Sequence, residues 1–144
     1  MPHADVWHFY ETLQFYPHMG PKDAHIWNAF VVANPRRFSR VLYDCRCGEI
    51  EPVPENTPKN IASAWEDLCR GRIDVVADDV DALYVIEVKP RARGEALGQA
   101  FNNAHLYARE QRPLVPVHAA VITDFILPST RIVAAANGIE LWTP

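Results

Sequence analysis

The stretch Arg72 to Lys89, RIDVVADDVDALYVIEVK, constrains this chain more than any other. Two apolar runs rich in Val and Ile read as strands, and the Asp-rich step between them reads as a hairpin turn. Counted outward from a turn centred between Val80 and Asp81, Asp74 falls opposite Glu87, Val76 opposite Val85 and Asp78 opposite Leu83. Directly opposed side chains in a ladder share a face with Cβ atoms about 5 Å apart, so two carboxylates there repel unless something cationic lies between them. Alternation keeps Leu83, Val85, Glu87 and Lys89 on one face of their strand, and so two acids and an amine converge.

A divalent metal removes the repulsion. Mg²⁺ and Mn²⁺ prefer oxygen ligands, and Mg²⁺ commonly needs only one or two protein carboxylates beside waters and substrate phosphate oxygens. The competing reading is a salt-bridged hairpin in which Lys89 pairs with Glu87 at a sheet margin, because charged clusters are structural as well as catalytic. Asp78, Asp79 and Asp81 sit where turn geometry favours Asp. A second metal at that tip would lie some 13 Å from Asp74 at about 3.3 Å per residue.

The 144 residues suit one domain, and 49% apolar content argues against disorder. No apolar run approaches the ~20 residues of a membrane span, and the N-terminus lacks a basic region followed by an apolar stretch, so the expectation is a soluble cytoplasmic protein. Three cysteines without a secretory signal fit reduced thiols. Cys45 and Cys47 alternate on a strand, and Cys69 with His18 or His25 lacks the paired spacing of a zinc site, which favours small buried hydrophobes. His105 and His118 have no partner visible in the sequence and read as ordinary helix or strand residues. A net charge of −4 and a pI near 5.8 weigh against bulk electrostatic binding of nucleic acid. The distribution answers in part: Arg36, Arg37, Arg40 and Arg46 face only Asp44, and Lys89, Arg91 and Arg93 cluster at the acidic pair.

Residues 1–21 mix aromatics and prolines without a period and read as an arm or a short helix. Asp23 can cap a helix to about Ala33, with Ile26, Trp27, Phe30 and Val31 inward and Pro35 as the stop. A strand from about Phe38 to Gly48 precedes a proline-rich loop, Glu49 to Pro58. Thr57 then caps an inserted helix to about Arg70 whose apolar side is Ile61, Ala64, Trp65 and Leu68. After the hairpin, a helix opening at Arg93 or Gly94 has Leu97, Ala100, Phe101, Ala104 and Ala108 inward. Gln99, Asn103 and Tyr107 form a second, polar stripe that can look at the acidic pair. A strand from Val115 to Thr123, a helix from Ser129 to Ala136 and a short strand Ile139 to Trp142 follow.

An Asp late in one strand, a Glu-x-Lys on the next (Glu87-Val88-Lys89) and a helix carrying Gln99 resemble the PD-(D/E)XK nuclease superfamily, which includes restriction endonucleases, Holliday-junction resolvases and RecB-type exonucleases. The likeness in element order covers roughly Asp23 to Pro144. It implies an α/β (α+β) restriction-endonuclease-like αβββαβ core, a mixed central sheet flanked by helices, in a single domain with residues 1–21 as an arm and 49–70 as an insertion. It further implies Mg²⁺ or Mn²⁺ on Asp74, Glu87 and the Val88 main-chain carbonyl, with Lys89 orienting or activating water and Gln99 assisting. Arg91, Arg93, Asn103 and Tyr107 would contact DNA. Asn103 departs from RecB-type members, which carry tyrosine there; Tyr107 comes four residues later. Many members add an acid from the first core helix, where Asp23 lies at the start and Asn28 further in; Glu49, Glu51 and Glu66 are the alternatives. The size is that of small phage and mobile-element members, which implies the host cytoplasm for a phage-encoded protein and a homodimer for cutting two strands.

The reading is therefore a metal-dependent deoxyribonuclease. Two others stand beside it: a non-catalytic module that keeps the fold and binds nucleic acid or protein, favoured by the acidic charge, and a Holliday-junction resolvase.

Overall fold

The structure, a computed structural model, describes residues 6–144 except for the side chains of residues 66–68. Residues 1–5 of the arm, and the side chains of Glu66 and Leu68, lie outside the described residues. Ten elements follow one another: β1 (His8–Phe9), α1 (Pro21–Ala33), β2 (Arg40–Cys47), α2 (Lys59–Cys69), β3 (Gly71–Asp78), β4 (Leu83–Val88), α3 (Gly94–Gln111), β5 (Val117–Ile122), α4 (Pro128–Ala136) and β6 (Glu140–Trp142). The six strands form one sheet in sequence order. β1 to β4 pair antiparallel, whereas β4, β5 and β6 are parallel, with α3 and α4 as the crossovers that parallel neighbours require. This is a mixed sheet flanked by helices, in the order of a restriction-endonuclease-like core.

Each face of the sheet has its own core. On one, Ile26, Trp27, Phe30 and Val31 of α1 cover Val41, Val75, Ile86, Ala120 and Ile122. On the other, Leu97, Ala100, Ala104 and Tyr107 of α3 and Ala134 of α4 cover Ile73, Val76, Val85 and Val121. The central strands are apolar on both sides, as strands with both faces covered must be.

Several elements depart from the sequence reading. The arm pairs with the sheet: His8 and Phe9 add a two-residue edge strand to β2. Tyr16 is buried, its hydroxyl donating to Asn28 Oδ1 on α1 and accepting the Leu13 N–H at 2.7 Å. α1 begins at Pro21 behind an extended Gly20, so Asp23 lies in its first turn rather than at its cap. Thr57 caps nothing, because its hydroxyl donates to the Pro54 carbonyl at 2.5 Å. α2 leaves Ile61 42% exposed and Ala64 exposed, while the Trp65 indole donates to the Glu51 carbonyl at 2.7 Å. Both sheet faces are already covered, so the inserted helix packs on its own loop.

On α3, Ala96, Leu97, Ala100, Asn103, Ala104 and Tyr107 are buried. At about 100° per residue these positions span an arc of about 120°. Phe101 falls about 40° past one edge of that arc and is 50% exposed. Gln99 falls about 40° past the other edge and is exposed. Asn103 is admitted because Gly71 has no side chain: a Cβ there would overlap Asn103 Oδ1. The Asn103 amide donates to the Arg72 carbonyl at 3.1 Å and accepts from Cys47 Sγ at 3.4 Å.

Candidate active site

The β3–β4 hairpin has the register that its turn dictates, with Asp78 opposite Leu83, Val76 opposite Val85 and Val75 opposite Ile86. The paired register ends there; Asp74 and Glu87 are the next residue on each strand, and the charge of Asp74 acts on Glu87. The tip is closed by Asp79 N–H to the Ala82 carbonyl at 2.9 Å, and Asp78 Oδ1 accepts the Val80 N–H at 2.8 Å. The tip aspartates are thus turn-formers, and Asp78 and Asp79 also pair with Arg40 and Arg37.

On its other side β3 departs from a regular ladder. The β2–β3 register runs from Arg40↔Asp78 to Tyr43↔Val75, skips Asp44 and Asp74, and resumes at Cys45↔Ile73. Residues two apart on a strand share a face. Here Tyr43 and Val75 lie in the α1-side core while Cys45 and Ile73 lie in the α3-side core. Both strands therefore switch faces across the Asp44/Asp74 step, where Asp44 holds a left-handed φ of 55°. The switch takes Asp74 out of the backbone ladder.

Its carboxylate finds a partner across the hairpin: Asp74 Oδ2 accepts the Val88 N–H at 2.9 Å. The next amide, Lys89 N–H, donates to the Ile122 carbonyl on β5 at 3.0 Å. Successive N–H groups of a central strand point to alternate neighbours, so the end of β4 is forked between the Asp74 side chain on β3 and the β5 backbone.

Burial, and then mutual repulsion, set the charge state of this fork. Desolvation pushes the Asp74 carboxyl up to about 6, against the Val88 hydrogen bond, with the charges of Asp23 and Asp44 adding to the rise. Glu87 is pushed up to about 8 by desolvation and then by Asp74, with Lys89 opposing. Asp23 is raised by desolvation and lowered by Lys89. Among the described acids left open by the sequence, Asp23 is the one whose field reaches both carboxyls; the Glu66 side chain lies outside the described residues. Glu49 instead faces Arg109 at 4.0 Å. Lys89 is exposed, and no described carboxylate stands within ion-pair distance of its ammonium. The salt-bridged hairpin expected as the structural alternative is thus not formed.

The segment after Lys89 is pinned. Arg91 N–H donates to Asp124 Oδ1 at 2.7 Å, Ala92 N–H to Thr123 Oγ1 at 2.9 Å, and Thr130 Oγ1 to the Ala92 carbonyl at 3.5 Å. Arg91 and Arg93 project from this segment and are exposed. Asn103 and Tyr107 do not join them. Both are buried against the sheet, which corrects the expectation of a polar stripe open to DNA.

Among the described residues no three His, Cys, Asp or Glu side chains converge as a cage for a metal ion. A hard cation that keeps its waters needs no such cage. Two adjoining carboxyls, each held protonated to unusually high pH by burial and by acidic neighbours, are a donor set that a divalent cation fits. A groove of about 450 Å³ lies at the hairpin tip between Phe9, Tyr10, Arg37, Phe38 and Val80, away from the fork.

No family model and no curated protein matches this chain. Among solved structures, the crystal structure of a repair endonuclease from Pyrococcus abyssi matches with 13% identity and a TM-score of 0.48, covering 92% of this chain and 49% of that one. The chain spans about half the length of that endonuclease. No helix among the described residues is long and apolar enough to cross a membrane.

Proposed function

We propose that the chain is a metal-dependent nuclease that hydrolyses phosphodiester bonds in DNA. The reading is carried by the fork itself: two adjoining, partly buried carboxyls at the end of β4, beside an exposed lysine with no described carboxylate within ion-pair distance. Asp74, Glu87 and the Val88 carbonyl would hold Mg²⁺ or Mn²⁺, with Asp23 adding negative charge. When bound, such an ion neutralises phosphate charge and makes a water nucleophilic near neutral pH.

The chain's own groups do the rest. Val88 N–H holds one Asp74 oxygen in place, which leaves the other to face the ion. The Lys89 ammonium orients the attacking water and steadies negative charge building on the phosphorus oxygens. Gln99, exposed near the start of α3, assists by hydrogen bonding to substrate. Arg91 and Arg93 contact the phosphate backbone from a segment that cannot swing away.

Incubation with Mn²⁺ and a panel of linear, circular, single-stranded and four-way-junction DNA tests the proposal. Cleavage of at least one form is expected, and its loss in Lys89→Ala. A protein that degrades none of them, or a Lys89→Ala variant as active as the parent, ends the catalytic reading. Cleavage confined to the junction would mark a resolvase.

The net charge of −4 favours a second reading, a non-catalytic module on the same fold. It predicts no carboxylate-dependent metal binding. Titration calorimetry with Mn²⁺ on the parent and Glu87→Ala separates the two.

A further inference from the structure

Beside the fork stands a group of polar side chains that this mechanism does not use. His18 of the arm, Asp44 of β2 and Arg72 of β3 close a ring. His18 Nε2 is 2.9 Å from Asp44 Oδ2, Arg72 Nε is 2.9 Å from Asp44 Oδ1, and Arg72 Nη1 is 2.8 Å from His18 Nδ1. A guanidinium has only donors, so His18 Nδ1 accepts and the imidazole hydrogen sits on Nε2, directed at Asp44. His18 and Asp44 both hold left-handed backbone, with φ of 59° and 55°. Buried Tyr16, bonded to Asn28, anchors the arm that delivers His18.

The ring is poorly explained as a stabilising device. Its histidine is 49% exposed and its arginine 35% exposed, and ion pairs at such surfaces contribute little. Nor is the arginine's fork used up. Asp44 faces Nε at ion-pair distance without a hydrogen bond to it, His18 takes one Nη1 hydrogen, and no described residue takes the Nη2 hydrogens. What the ring does fix is the direction of a cation. It does so next to the acids, since the charge of Asp44 acts on Asp74. Arg72 lies two residues from Asp74 on the same strand, about 6.6 Å at about 3.3 Å per residue.

A pre-aimed guanidinium with an open edge matches a phosphate, which it can meet with parallel N–H donors. An acidic protein that acts on a polyanion needs such local cations. We infer that Arg72, oriented by Asp44 and His18, grips a backbone phosphate of the nucleic-acid strand adjoining the one cleaved at Asp74 and Glu87. This rests on the nuclease reading and adds a binding residue on the β2 side of the fork, opposite Arg91 and Arg93.

The test is anisotropy of labelled single-stranded and duplex oligonucleotides, titrated over a range of salt with Mg²⁺ on the Lys89→Ala background so that the probe stays intact. Arg72→Gln should weaken binding about tenfold, as the loss of one charge-assisted contact does. It should also reduce the slope of log affinity against log salt by about 0.9 for duplex or about 0.7 for single strand, one phosphate's worth. Asp44→Asn, which tolerates the left-handed backbone but releases Arg72, should weaken binding and leave the slope alone. Arg72→Lys should restore the slope but not the full affinity. In the otherwise unaltered enzyme, Arg72→Gln should raise KM about tenfold with kcat little changed.

An Arg72→Gln protein that matches its background in slope, or whose affinity falls only in step with its melting temperature, overturns the inference while cleavage by the parent keeps the nuclease reading. If the Lys89→Ala protein binds neither probe and the parent cleaves neither, the nuclease reading has failed and this inference with it.

Discussion

Asp74 Oδ2 accepts the Val88 N–H at 2.9 Å, so a β4 amide is held by a side chain where a ladder would use backbone. Asparagine keeps a carbonyl oxygen that can accept the same hydrogen, and it carries no charge. Asp74→Asn should therefore fold as well as the parent and lose cleavage by about 10²–10⁴-fold, with Glu87→Gln and Lys89→Ala in the same range. Circular dichroism alongside a cleavage assay checks both halves; a variant that cleaves normally would remove its residue from the site.

The two carboxyls also predict how stability depends on pH. Both have folded values above the ordinary carboxylate range, to about 6 for Asp74 and about 8 for Glu87. The folded protein then holds protons that the unfolded chain has released, and stability must fall as pH rises through that interval. In metal-free buffer the melting temperature should drop steadily from about pH 4 to about pH 8 and then level off. Glu87→Gln should flatten the upper part of this curve. A parent curve that rises over the same interval would contradict the repulsion at the fork.

On the proposed reading, metal should reverse the trend. Ligand carboxylates must be ionised to bind, so affinity for Mg²⁺ or Mn²⁺ should grow with pH. At a hundredfold excess over Kd the ion adds about 2.7 kcal/mol to stability. Scanning calorimetry with and without Mn²⁺ should show the larger gain at the alkaline end, and none in Glu87→Gln. An equal shift in both proteins would place the ion elsewhere.

Much of this site can be read from the sequence, because a tight hairpin leaves little freedom. Once Val80 and Asp81 are taken as the turn, the pairs from Asp78↔Leu83 to Val75↔Ile86 follow by counting. What counting misses is the face switch at Asp44 and Asp74, since nothing in the alternation of YDCRC or RIDVV marks where a strand rolls over. The His18–Asp44–Arg72 ring is hidden for a related reason: it joins an arm without periodicity to two strands, and the pairing of β1 with β2 and the packing of Tyr16 bring the arm there. Asn103 reads as facing the acidic pair because it repeats Gln99 and Tyr107 at helical spacing, and the sequence signal that places it inward is the missing side chain of Gly71, thirty-odd positions away.

That pairing gives a stability prediction independent of catalysis. Gly71→Ala would drive a methyl group into Asn103 and should cost about 1–3 kcal/mol. Asn103→Ala leaves the Arg72 carbonyl short of its donor and should cost a similar amount. The double variant should lose less than the sum of the two, because removing the amide makes room for the methyl. Urea titrations of all three proteins measure the difference, and strict additivity would mean that the two positions do not touch.

The stitching of Arg91 and Ala92 to Thr123, Asp124 and Thr130 has a mechanical consequence. On the nuclease reading, a polymer dragged across the lysine would tug on the end of β5 and on α4 together, not on a slack tether. The amine's aim would then survive the tension of a moving substrate, and successive turnovers would not wait for it to resettle.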